Sequence, residues 1–106
     1  SAGAMISSLA RYFGHLHLAR GLPTRREQAQ LAEKAGVHPF FAEKLQRAAQ
    51  NYSPAEICNA LEVLLHADYL MKTQGTWEVL VMRLMLIAVV RGYAPEFLPA
   101  AAKEGR

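Results

Sequence analysis

The groups in this chain that could do chemistry are His15, His17, His38 and His66, the lone cysteine Cys58, and Asp68 set among apolar residues. A metal site would need imidazoles or carboxylates brought to one helix face at chelating spacing. His15 and His17 are two residues apart and point to different helix faces, and no His-x-x-x-His or Glu-x-x-His pair occurs. No metal site is expected. One cysteine cannot make an internal disulfide or a cysteine-cluster zinc site. Cys58 falls at an apolar-periodic position, which favours a buried, inert thiol over a nucleophile. Asp68 as a general base would need a histidine, serine or second carboxylate converging on it. None does in the sequence, so an ion pair with Lys72 or Arg83 is expected. No Gly-rich phosphate loop is present, and no catalytic residue or cofactor is expected.

The elements that must position these groups are helical nearly throughout, with no strand-like alternation of useful length and no repeats. Ile6, Leu9, Phe13 and Leu16 recur at spacings of three and four and predict a first helix over about 5–20, stopped by Gly21 and Pro23. Thr24 with Glu27 three residues on reads as a capping box for a second helix running to Ala35, with Gln28, Leu31, Ala32 and Ala35 inward and Gly36 as C-cap. Pro39 suits the first position of a third helix. His38 before it would stabilise the turn or pack on an aromatic. Phe41, Leu45 and Ala48 are the expected inner face, ending near Asn51.

Ser53-Pro54-Ala55-Glu56 is the strongest local signal: Ser53 caps, Pro54 takes the first helical position and Glu56 reaches back. The fourth helix places Ile57, Leu61, Leu64 and Met71 on its core face, with Asp68 and Lys72 at i and i+4. Gly75 ends it and Thr76 is expected to cap a fifth helix. There Trp77, Leu80, Val81, Leu84, Ile87 and Ala88 leave little polar circumference beside Arg83 and Arg91. A helix apolar on most sides is central or covered by a partner. After Gly92, Pro95 and Pro99 predict an irregular, mobile tail over 93–106. The expectation is one small all-α domain over 5–92, five helices in an orthogonal or irregular bundle. Ser1–Ala4 is set aside as a candidate expression remnant.

Residues 28–50 also support a different reading. Gln28-x-x-Leu31-Ala32-x-x-Ala35-Gly36-Val37 has the small residues and the turn glycine of a helix-turn-helix. A recognition helix presents polar side chains from its first turn to base edges. Here that turn holds Pro39, Phe40 and Phe41, with Glu43 behind. Lys44, Arg47 and Gln50 could contact phosphates but would serve equally on a solvated face. Burial of Phe40 and Phe41 against other helices or another subunit is the expectation and favours packing; exposed rings on a basic face would reopen the helix-turn-helix reading.

At 106 residues with 52% hydrophobic and 20% charged, the chain is globular and long enough for one modest core. A net charge of +3 permits an anionic partner without requiring one. The most apolar run, Val79 to Val90, is far shorter than the ~20 residues of a bilayer span and contains Arg83. A cytoplasmic protein without membrane contact is the expectation.

Taken in order, Gly36-Val37-His38-Pro39-Phe40, Ala48, Tyr52-Ser53, Glu56, Ala60-Leu61, Leu64-Leu65, Ala67-Asp68 and Lys72 resemble the C-terminal domain of the bacterial DNA polymerase III delta subunit, over about residues 6–90. The apolar last helix, with Leu84 and Leu86, also fits. The resemblance implies the collar of a sliding-clamp loader. In that family two N-terminal domains of AAA+ type precede an all-helical domain, which packs with its equivalents in gamma/tau and delta-prime type subunits. It implies a non-catalytic assembly role in DNA replication. Sliding clamp and DNA would be met only through parts of the parent protein outside these residues. Candidate interface residues are Arg11, Tyr12 and His15 on the first helix, and Arg83, Arg91 and Tyr93 at the last, since Tyr and Arg are enriched at such contacts.

Overall fold

The computed structural model describes residues 1–100, except for the side chain of Thr76. Five α-helices follow one another: α1 (Ala2–Gly21), α2 (Gln28–Ala35), α3 (Pro39–Ala49), α4 (Pro54–Thr73) and α5 (Glu78–Arg91). Short 3-10 turns occupy Arg25–Glu27, Gly75–Trp77 and Pro95–Phe97. No strand occurs among the described residues, so the expected all-α, five-helix fold is found. Contacts group into two units, Arg11–Cys58 and Ser1–Ala10 with the chain from Asn59 onward.

Within Arg11–Cys58, Leu16, Leu31, Leu45 and Ile57 are fully buried. Replacing such a side chain by alanine costs about 2–5 kcal/mol, so these four set the scale for every weaker contact here. Phe13 meets Tyr52 edge-on at 5.8 Å between centroids. The α2–α3 turn is closed by a Schellman motif: Val37 N–H donates to the Ala32 carbonyl at 3.0 Å and Gly36 N–H to that of Glu33 at 3.3 Å. The motif needs a left-handed residue, and Gly36 supplies it with φ +69°.

Three local expectations are corrected in this unit. Thr24 caps no backbone amide; its hydroxyl donates to the Glu27 carboxylate at 2.6 Å. A 3-10 turn intervenes and the α-helix begins at Gln28. The inner face of α3 is Ala42, Leu45, Gln46 and Ala49, so Phe41 and Ala48 lie off it. Spacings of three, one and three make a better seam with two small residues at its ends than with a phenylalanine at one. Gln46 is buried because both its amide N–H groups are used, donating to the carbonyls of Leu22 at 2.8 Å and Thr24 at 2.7 Å. Cys58 is exposed rather than buried, one residue past the inward Ile57.

The Ser53 capping box forms in full. Ser53 N–H donates to the Glu56 carboxylate at 2.8 Å, and Glu56 N–H donates to the Ser53 hydroxyl at 3.0 Å. The Ser53 backbone N–H, with a smaller contribution from its side-chain hydroxyl, holds the Glu56 carboxyl below its ordinary value.

In the other unit, Ile6, Val63, Leu64, Leu70, Val81 and Met85 are buried. The inner stripe of α5 is Val81, Met85 and Ala88, at spacings of four and three. Leu80, Ile87 and Trp77, which belong to the broad apolar circumference read from the sequence, are exposed. The expected Thr76 cap lies outside the described residues; Trp77 precedes the first α-helical residue. Past Gly92, whose φ of +73° closes α5, residues 93–99 are tied down rather than loose. Asn59 donates from its side-chain amide to the Tyr93 carbonyl at 2.7 Å, and His66 Nε2 lies 3.0 Å from that of Pro99. Leu98 is buried and the Tyr93 and Phe97 rings meet at 4.9 Å. Residues 101–106 of the expected tail lie outside the described residues. No described helix is long and apolar enough to cross a membrane.

Candidate assembly surface

The groups first considered for chemistry do not converge. Among the described residues no cluster of three histidine, cysteine or acidic side chains could hold a metal. Asp68 pairs with Lys72 at 2.8 Å, the partner expected from spacing. Both are solvent-accessible, and such a surface pair contributes about 0–1 kcal/mol. His38 caps α3: its Nδ1 accepts from Phe40 N–H at 3.0 Å. That is the turn-stabilising role expected of it, and the lone pair on Nδ1 is engaged by the helix amide.

What the fold does present is apolar surface. On α5, Val79, Leu86 and Val90 are exposed, with Val90 80% so. With Arg83 they follow spacings of four, three and four, a second stripe. At 100° per residue it lies on the side of α5 opposite Val81, Met85 and Ala88. Leu80 and Ile87 widen it and are also exposed. Met5 and Ala2 of α1 line a shallow groove with Val79, Met82, Arg83 and Leu86, and Arg91 lines another with Leu86, Ile87 and Val90. Isolated exposed aliphatics are ordinary, whereas contiguous ones mark interaction sites. Along α4, Cys58, Glu62, Leu65, Tyr69 and Lys72 are exposed at spacings of four and three, a more polar stripe.

The six interface candidates fall in separate places. Arg83 sits inside the outer stripe of α5 and Arg91 at its end; both are exposed. Tyr93 is exposed and packs on Phe97. In the other unit Arg11 is exposed and His15 half-buried. Tyr12 meets Phe13 edge-on at 5.7 Å, and burial, with a smaller contribution from Tyr52, raises its hydroxyl above the ordinary value.

Phe40 and Phe41, expected to be buried, are 61% and 42% exposed. Pro39 starts α3, so these rings occupy its first turn, ahead of the inner face that begins at Ala42.

Residues 4–89 match the family model described as the DNA polymerase III delta subunit, C-terminal domain. The chain belongs to that family. No curated protein and no solved structure matches it. The span shared with the delta family takes in all of α2, α3 and α4, most of α1, and α5 as far as Val89. It therefore contains the Gly36–Pro39 turn, the Ser53–Glu56 capping box and the Asp68–Lys72 pair that carried the resemblance.

Two features escaped sequence reasoning. Met85 shares with Val81 and Ala88 the spacing of four and three, a signal masked by the apolar residues on the other sides of α5. Gln46 is polar, so apolar periodicity does not mark it as inward. Ala42, Leu45 and Ala49 around it were the available signal.

Proposed function

We propose that this chain is the collar domain of a replicative clamp-loader delta subunit, a non-catalytic module that joins the loader by helix packing. The observation carrying this reading is the outer stripe of α5. A helix with one apolar stripe inside and another facing water gains when a second chain covers the outer one. Full burial of each Val, Leu or Ile contributes about 1.5–3 kcal/mol. Membership of the delta-subunit family supports other loader subunits as the partner class; the partners proposed are those of gamma/tau and delta-prime type, whose equivalent domains would lie against this one.

Arg83 within the stripe and Arg91 beside it give the surface polar anchors, a composition typical of protein contacts. Tyr93, Arg11, Tyr12 and His15 are secondary candidates on the same argument. DNA and the sliding clamp would be engaged by other regions of the parent protein.

The experiment is co-elution of the 106-residue chain with the other loader subunits in size-exclusion chromatography. A shared peak supports the collar assignment; separate elution at micromolar concentrations overturns it.

A further inference from the structure

We propose that Arg83 selects the partner of the α5 surface: the helix that covers the stripe carries a carboxylate placed against the Arg83 guanidinium. This rests on the assembly reading of α5 and adds the partner's chemistry to it.

Arg83 is a charge ringed by aliphatic side chains. On a helix surface the neighbours of a residue are those three and four positions away. For Arg83 these are Val79, Leu80, Leu86 and Ile87, and all four are exposed. Leu80 and Ile87 lie about 40–60° to one side of it round the helix, and Val79 and Leu86 as far to the other. Ala2 and Met5 of α1 and Met82 line the shallow groove with it. Glu78 lines that groove too, but it lies five residues earlier, about 140° round the helix. The ion pairs found among the described residues are Arg47–Glu43 and Lys72–Asp68, and Arg83 belongs to neither.

Exposed, the guanidinium is hydrated. A helix packed over the stripe removes that water, and an uncompensated charge in a closed apolar contact is strongly unfavourable. The aliphatic neighbours on both sides give the side chain no polar edge to lean towards. The backbone carbonyls of a covering helix are bonded within it, so the acceptor has to be a side chain. A carboxylate meets the need best, because it neutralises the charge and accepts two parallel N–H bonds.

A second copy of this chain is a poor occupant. The stripe from Val79 to Val90 has its midpoint between Leu84 and Met85. An antiparallel pair of α5 helices joined about that midpoint places the two Arg83 residues about 4.5 Å apart along the axis. A parallel pair places them face to face. Either way like charges meet in an apolar contact, which disfavours self-pairing. Arg91 is the contrast: it is the last residue of α5, at the margin of the stripe, where a covering helix leaves it in water.

The test is isothermal titration of the full chain into the other loader subunits, comparing wild type with Arg83→Met, Arg83→Glu and Arg91→Met. Both residues are exposed, so the variants should fold as the wild type does. Arg83→Met leaves the partner's carboxylate unpaired, and affinity is expected to fall about 30-fold or more. Arg83→Glu sets carboxylate against carboxylate and should lower it further. Arg91→Met should change it by less than about five-fold. Arg83→Lys locates the group: a zero-length carbodiimide should join the new amine to an Asp or Glu of the bound subunit, read by mass spectrometry. Arg83→Met that binds as tightly as wild type overturns the inference and leaves the assembly reading standing. So does a bound complex in which position 83 cross-links to no acidic residue, or self-association of the wild-type chain that Leu86→Asp abolishes. Wild type that binds no loader subunit overturns both.

Discussion

Ser53 and Glu56 bond each other reciprocally across the first turn of α4, amide to carboxylate at 2.8 Å and amide to hydroxyl at 3.0 Å. Ser53→Ala is expected to lower stability by about 1 kcal/mol, the usual cost of losing a hydroxyl cap. Glu56 adds a pH dependence. Its carboxyl is depressed in the folded state, so its contribution is present above the unfolded-state value and is lost as pH falls through the folded one. Urea melts of the wild type and Glu56→Gln should therefore differ near neutral pH and converge as the pH drops below the ordinary carboxylate range. A difference that grows in acid would contradict the bond.

Gln46 joins α3 to the Leu22–Thr24 segment through two carbonyls. Gln46→Leu keeps the volume but removes both donors. It is expected to cost about 1–2 kcal/mol, because lost partners outweigh the added apolar burial. Chemical denaturation reads this directly. A stabilised variant would mean that water replaces the amide without penalty.

Gly36 and Gly21 should respond oppositely to alanine. No atom lies within 4 Å of a Cβ built at either, so space does not separate them. Gly36 has φ +69° while Gly21 ends α1 without a positive φ. Gly36→Ala should cost about 1–2 kcal/mol from left-handed strain. Gly21→Ala should be neutral or stabilising by up to about 1 kcal/mol through helix propensity. Thermal melts of the pair test both signs.

Cys58 is exposed. Ellman's reagent should therefore titrate one thiol per chain under native conditions, at a rate close to that in denaturant. Reaction only after unfolding would put the thiol back inside.

Local sequence rules carried furthest where one residue type fits one backbone need. The Gly36 turn, Pro39 after His38, the Ser53 box and the Asp68–Lys72 spacing were all legible, because caps and i, i+4 pairs are settled within a few residues. Facing was less legible. Apolar periodicity placed Phe41 and Ala48 inside where Ala42 and Ala49 lie, since a one-residue rotation of a short helix changes the pattern little, and it placed Cys58 inside beside Ile57 although only Ile57 is buried. On α5 the pattern was apolar on nearly every side, so it announced an extra surface but could not say which stripe lay inward; Met85 decided that. Residues 93–99 read as loose because two prolines hide the side-chain bonds from Asn59 and His66, which come from 34 and 33 residues away.

If the stripe of Val79, Arg83, Leu86 and Val90 is an assembly surface, isothermal titration of the chain into the other loader subunits will separate wild type from Leu86→Asp and Val90→Asp. Both side chains are exposed, so the variants should melt as the wild type does. Loss of a central anchor costs about 2 kcal/mol, so affinity should fall at least about tenfold. Unchanged affinity in folded variants would mean that partners bind elsewhere on the chain.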